Sequence, residues 1–135
     1  MPFALDTNVV VRYLHNDRHV VEHIENALLQ GHALVIPKMV DYEIRRGFRI
    51  KPSPKRESSY YALLEGCVVA DIDSDTWEYA SAIYALHYHR RHTVSEMDIL
   101  IAALCQQNAY TLVTNNAKDF ADIDRLEIAD WTLPR

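Results

Sequence analysis

An unbroken apolar run, Ile99-Leu100-Ile101-Ala102-Ala103-Leu104-Cys105, leaves no polar face to turn toward water. A helix made from it must be covered on more than one side, which places it inside a layered domain. The residues ahead of it supply a start: Ser95 or Thr93 can cap, with Asp98 or Glu96 as the reciprocal partner. Behind it, Gln106-Gln107-Asn108 breaks the pattern, and Thr111-Leu112-Val113-Thr114 reads as a buried strand that stops at Asn115 and Asn116. This unit puts Asp98 at the head of a core helix and Asn115, Asn116 and Asp119 just past a core strand. In an open parallel sheet, ligands bind at the carboxyl ends of the strands.

The same alternation runs through the chain. Phe3-Ala4-Leu5 predicts a short strand ending on Asp6, and Val9 begins a helix capped by Thr7 or Asn8. A second helix spans about Asp17 to Leu29, with Val20, Ile24, Ala27 and Leu28 inward, and Gly31 ends it. Leu34-Val35-Ile36 is the second strand, and Pro37 opens a helix whose Val40, Ile44 and Phe48 face the core. On that helix Asp41 is expected to pair with Arg45 on the outside. Glu43 stands at the edge of the buried face, with Gly47 one turn on and no base beside it, a costly position for a carboxylate unless a cation meets it.

Lys51 to Ser59 reads as a connector, Tyr60 to Leu64 as a helix and Val68-Val69-Ala70 as a third strand. A long helix from Asp75 to about Arg91 is expected to bury Trp77, Ala80, Ile83, Tyr84 and Leu86. A helical turn near Ala117 and an edge strand at Leu126-Glu127-Ile128 complete the pattern, with Trp131 packing the end. Tyr60, Tyr61 and Tyr88, if exposed, would suit an interface or base stacking, but aromatic residues at helix spacing are more often core. Strands alternating with helices predict an α/β fold with a mainly parallel sheet, one domain over residues 1–135.

Composition excludes several classes. No apolar stretch is long enough to span a membrane, and the amino terminus has no basic leader, so a cytoplasmic protein is expected. Cys67 and Cys105 lie in apolar segments without metal-like spacing and read as reduced thiols. Only Gly31, Gly47 and Gly66 occur, and none forms a phosphate-cradling loop. The formal net charge of -5 argues against a general nucleic-acid binder, yet Arg45, Arg46, Arg49, Lys51, Lys55 and Arg56 cluster with no acid among them until Glu57. That cluster is either a phosphate-contacting segment or a solvated face.

Two histidine patterns invite metal readings. His19-Val20-Val21-Glu22-His23 spells H-x-x-E-H, but its polar residues lie opposite the apolar stripe, which excludes a zinc-hydrolase cleft. His87-Tyr88-His89-Arg90-Arg91-His92 could make a metal or nucleic-acid contact, but reads better as a frayed, basic helix terminus complementing the dipole.

The acids are more informative. Asp6, Glu43, Asp98 and the Asn116/Asp119 pair all fall at element ends that such a fold can bring together. Clustered carboxylates repel unless they protonate or bind cations. Oxygen donors without Cys or inward His select Mg²⁺ or Mn²⁺. Such an ion lowers the pKa of a bound water and stabilises charge on a phosphodiester.

Leu5-Asp6-Thr7-Asn8, Glu43-Ile44-Arg45-Arg46-Gly47, Asp98-Ile99-Leu100-Ile101-Ala102-Ala103, Leu112 to Phe120 and the closing Trp131 together resemble the PIN-domain ribonucleases. Within that family the chain is most similar to the VapC toxins of bacterial toxin–antitoxin pairs. The resemblance implies a three-layer α/β/α fold with about five strands. It also implies a Mg²⁺- or Mn²⁺-dependent endoribonuclease, expected to be a homodimer and to be held inactive by a VapB-like antitoxin. Carried over by motif, Asp6, Glu43 and Asp98 are the metal ligands, and the fourth polar position is Asn116 or Asp119. Thr7 or Asn8 would orient Asp6 or a water, Thr114 would assist, and Arg45, Arg46 and Arg49 would contact RNA. The alternative is a PIN-fold binding module without catalysis, suggested by the amide at position 116.

Overall fold

The computed structural model describes residues 1–135. Its centre is a five-stranded, all-parallel sheet in the order β3-β2-β1-β4-β5. The strands are β1 (Phe3–Leu5), β2 (Leu34–Pro37), β3 (Cys67–Ala70), β4 (Thr111–Val113) and β5 (Ile128–Ala129). Six helices complete a three-layer α/β/α arrangement: α1 (Thr7–Leu14), α2 (Arg18–Leu29), α3 (Lys38–Ile50), α4 (Pro54–Glu65), α5 (Ser74–His89) and α6 (Glu96–Asn108). A 3₁₀ turn at Ala117–Asp119 follows β4.

The strand order decides where the site can be. The chain builds outward from β1 to β2 to β3, then returns past β1 to lay down β4 and β5. The direction of winding therefore reverses between β1 and β4, and a crevice opens outside their carboxyl ends. Register pairs Leu5 with Val113, so Asp6 and Thr114 emerge side by side at that point.

Burial follows the apolar pattern on most elements. The hydrophobic core comprises 29 buried residues, and α6 contributes Ile99, Ile101, Ala102, Ala103, Leu104 and Cys105 to it, as its all-round apolarity requires. Ser95 caps α6, accepting from the Asp98 amide at 3.1 Å. Asp98 makes no reciprocal bond to the Ser95 amide, so its carboxylate is free for other partners.

Five expectations are corrected. Helix α1 begins at Thr7 with Asp6 as its N-cap, because the Asp6 carboxylate accepts from the Thr7 amide at 2.8 Å. The segment read as a connector is half helix: Ser53 caps α4, Pro54 takes its first turn, and Glu57 accepts from the Ser53 amide at 3.2 Å. The buried face of α5 is Thr76, Ala80, Ile83 and His87, leaving Trp77 and Tyr84 outside. Two polar residues occupy that face: Thr76 closes the capping box with Asp73 and donates to Gln107, and His87 is half satisfied, its Nδ1 donating to the Ile83 carbonyl. Tyr60 is fully buried and donates to Asp41 at 2.7 Å, and Asp41 is an interior carboxylate with only 2% of its surface exposed. The last strand is Ile128–Ala129, two residues later than expected at its start, since the alignment opposite Leu112 and Val113 selects those positions.

The H-x-x-E-H pattern on α2 is structural. His23 stacks on Trp131 with ring centroids 5.4 Å apart and donates to the Leu133 carbonyl at 2.8 Å. Both cysteines are free, and burial pushes the Cys67 thiol up to about 11 and the Cys105 thiol up to about 12. No helix is long and apolar enough to cross a membrane.

Candidate active site

Asp6 anchors the crevice. Its backbone amide donates to Val113, tying the end of β1 to β4. Its carboxylate is almost fully buried and receives three side-chain or backbone donors: the Thr7 amide on Oδ1, and Asn8 Nδ2 (3.0 Å) and Thr114 Oγ1 (2.8 Å) on Oδ2. A carboxylate offers about four lone-pair directions, so three donors fix its orientation and leave room for a further partner. Asn8 also bonds Thr114 Oγ1 and accepts from the Asn115 amide, which locks the two strand ends together.

The other acids arrive from different elements. Glu43, on α3, accepts from Thr7 Oγ1 at 2.8 Å and lies 3.5 Å from Arg46 Nη2. A basic partner thus sits one turn away, contrary to the expectation of none. Asp98 comes from the first turn of α6, and α3 packs against α6. Asp119 stands on the 3₁₀ turn after β4, where Asn116 Nδ2 donates to its Oδ2 in a short bond. The two candidates for the fourth position are therefore partners, with the amide holding the acid. Asp119 Oδ1 also lies 3.7 Å from His92 Nε2.

Electrostatics couple the cluster. Burial, above all, raises the Asp6 carboxyl, and the Glu43 charge adds to this against the donors from Thr114, Thr7 and Asn8. Asp98 is also raised, first by burial, then by the charge on Asp6, with Glu43 and Asp119 contributing and the Ser95 hydroxyl opposing. Neighbouring carboxylate charge thus disfavours the ionised forms of Asp6 and Asp98, a pattern that a cation would relieve. The donor set fits a hard ion: the carboxylates supply oxygen only. No three His, Cys, Asp or Glu side chains close into a ready cage, so an ion here would complete its coordination with water, as Mg²⁺ commonly does.

The basic residues divide. Arg45 Nε bonds both oxygens of Asp41 at 2.9 and 3.0 Å, and its guanidinium also lies over Tyr61, so its charge is committed inside the fold. Arg46 faces Glu43 and Tyr42. Arg49, Lys51, Lys55 and Arg56 have no acidic partner, and Lys51 and Arg56 line a cavity of about 360 Å³ that reaches Thr7 and Glu43. His92 stood in a cluster with a metal or RNA-contact reading, but its place against Asp119 was not legible, since only the folded chain sets it there.

Among curated protein sequences none matches the chain significantly. Solved structures that match it include VapBC2 from Rickettsia felis bound to a promoter DNA fragment (22% identity, 97% of this chain and 99% of that one, TM-score 0.88). DNA-bound VapBC from Salmonella typhimurium also matches (22% identity, 97% and 98% coverage, TM-score 0.85). So does VapBC-1 from nontypeable Haemophilus influenzae (23% identity, 98% and 100% coverage, TM-score 0.81). At these identities the likeness establishes the fold. The PIN domain model matches residues 3–126, a span that holds Asp6, Glu43, Asp98 and Asp119 together, and the chain belongs to the PIN domain family.

Proposed function

We propose that this protein is a divalent-metal-dependent endoribonuclease of the VapC type, the toxin of a toxin–antitoxin pair acting in the cytoplasm. The observation that carries the reading is that Asp6 and Asp98, at the switch point of the sheet, are both raised by burial and by neighbouring carboxylate charge, Glu43 on Asp6 and Asp6, Glu43 and Asp119 on Asp98. Asp6 and Asp98, with Glu43, would hold Mg²⁺ or Mn²⁺, and Asp119 takes the fourth acidic position with Asn116 as the amide that orients it. When bound, the ion supplies charge stabilisation at the phosphodiester and acidifies a coordinated water. The chain's own residues do the rest: Thr114, Asn8 and the Thr7 amide hold Asp6 in one orientation, and the Thr7 hydroxyl does the same for Glu43. Arg49, Lys51 and Arg56 would take the RNA backbone on the α3–α4 side, with Arg46 nearest the centre; the cavity lined by Lys51 and Arg56 supports this reading.

The partner reading rests on the same surface. The cavity beside Glu43 is floored by Val11, Leu14, Ile44 and Phe48, and Gly47 adds no side chain to fill it. An extended apolar segment of a VapB-like antitoxin suits such a groove, and a cation on that segment would meet the acids. VapB and VapC are named together in the solved structures of similar fold. A homodimer belongs to this reading and is tested by light scattering on the purified protein.

Cleavage of a mixed RNA pool by wild type and Asp98→Asn protein, each with Mg²⁺, Mn²⁺ or EDTA, decides the matter. Cuts that need both metal and Asp98 support it. A folded, partner-free wild type that cuts nothing would favour the non-catalytic binding module, for which the Glu43–Arg46 pairing is the supporting observation.

A further inference from the structure

A cavity of about 660 Å³ lies between the end of α5 and the start of α6, lined by Tyr84, His87, Tyr88, Arg91, His92 and Ile99 among others. Its position ties it to the acidic centre. Ile99 directly follows Asp98, and His92 reaches Asp119. Its volume falls within the range of small-ligand sites.

Its lining has an unmet demand. His87 is 2% exposed, and its Nε2 is buried with no hydrogen-bond partner. Its Nδ1 lies 2.9 Å from the Ile83 carbonyl, which can only accept, so Nδ1 carries the proton and Nε2 of the neutral ring presents a lone pair. A buried acceptor without a donor is costly, and a water or a ligand group in the cavity can supply the donor that the chain does not. At the mouth, Tyr84 and Tyr88 are both more than half exposed and stack on each other at 22° between planes. Arg91 is exposed and has no acidic partner.

A donor-bearing planar group, a surface of stacked rings and a free cation together describe a nucleoside with its phosphate. We infer that this cavity binds one nucleotide of the RNA beside the cut, its base against Tyr84 and Tyr88, an N–H or O–H of the nucleoside donating to His87 Nε2, and Arg91 on a phosphate. The inference rests on the ribonuclease reading and adds to it the place where base preference arises.

Two measurements test it. Histidine-ring ¹⁵N spectra of the full-length protein in EDTA are recorded with each of the four nucleoside 5′-monophosphates, and with inorganic phosphate alone. At least one nucleotide should shift His87 Nε2 in the direction of an accepted hydrogen bond, and phosphate should not. Tyr88→Ala and Arg91→Ala, both at exposed positions, should weaken that nucleotide roughly tenfold. In the cleavage assay the same variants should lose preference for the base next to the cut while keeping their metal requirement. Nucleotide shifts confined to the surroundings of Asp6 and Asp98, no shift at all, or an unchanged base preference in both variants would overturn the proposal. If wild type cuts no RNA but nucleotides still move His87, the ribonuclease reading fails and the cavity stands. If every variant cuts with the same preference, the cavity fails and the ribonuclease stands.

Discussion

The hydroxyl of Thr114 donates to Oδ2 of Asp6 across 2.8 Å, joining two residues 108 positions apart in the chain. The bond exists because β1 and β4 are neighbours, and it sets the carboxylate that faces the crevice. Thr114→Val removes the donor and keeps the volume. It should cut RNA cleavage by about 10- to 100-fold, the range for residues that orient metal ligands. The loss should appear as a higher Mg²⁺ requirement in a metal titration, and full rescue by saturating Mg²⁺ would locate the defect in ion binding.

Asp98 should oppose stability while it serves the site. Its carboxyl is raised above the ordinary 3.8, first by burial and then by Asp6. A raised folded value means that the folded state holds the proton more tightly than the unfolded chain. The resulting penalty is absent below the unfolded value, grows as pH rises through the folded one, and is complete at neutral pH. Asp98→Asn should therefore abolish cleavage yet raise the melting temperature in EDTA at pH 7, with no gain near pH 3. Mg²⁺ should stabilise wild type and fail to stabilise the variant. Calorimetry across these conditions reads both effects, and an Asp98→Asn protein that melts lower at pH 7 would contradict the electrostatic account.

The Asp41–Tyr60 bond should matter to the fold alone. Asp41 is buried, which by itself raises its carboxyl, but the Tyr60 hydroxyl, Arg45 and Lys38 outweigh burial and hold it below the ordinary 3.8. A lowered folded value contributes stability that is present above the unfolded value and lost as pH falls through the folded one. Tyr60→Phe leaves a buried acceptor short of a donor and should cost about 1–3 kcal/mol. Urea unfolding at pH 7 measures that cost, and the difference between variant and wild type should shrink below about pH 4, where Asp41 begins to protonate in the unfolded chain.

Ser53 should prove to be a helix cap. Its hydroxyl accepts from the Arg56 amide at 3.4 Å and its own amide is met by Glu57. Ser53→Ala should lower stability by about 1 kcal/mol, and Ser53→Asp should restore it. Chemical denaturation separates these outcomes.

Lys51 and Arg56 should act on RNA through charge. Replacing both with Ala should reduce the slope of log binding constant against log salt by about 0.7 for each single-strand phosphate left without its cation. Arg45→Ala should leave that slope unchanged and destabilise the fold, since its guanidinium is bound to Asp41. Filter binding in a cleavage-inactive Asp98→Asn background at several salt concentrations checks the pair.

Local chemistry was readable from the residues in order. The all-round apolarity of α6, the Ser95 cap, the strand ending on Asp6 and the alternation that yields a parallel sheet depend on neighbours within a few positions, and period and capping report such neighbours. The Ser53-Pro54 start of α4 was equally local, but it was hidden under a Pro/Ser/Lys composition that suggests a loop. Asp6, Asp98 and Asp119 were legible because each sits at an element end, and Glu43, inside α3, because it stands at the edge of that helix's buried face.

Tertiary structure decided what distance along the chain conceals. Burial of Asp41 depends on Tyr60, 19 positions away, and no pattern on α3 announces that partner. The inward turn of His87 in place of Trp77 or Tyr84 depends on the Ile83 carbonyl, which accepts from one nitrogen of a polar ring that hydrophobicity alone would have turned outward. Asp119 acquires Asn116 from its own turn, but His92 only from the return of the chain between α5 and α6. Apolar periodicity tells which face of an element seeks the core. Hydrogen bonds made between elements decide which polar groups can be buried with it, and they do not exist until the sheet has formed.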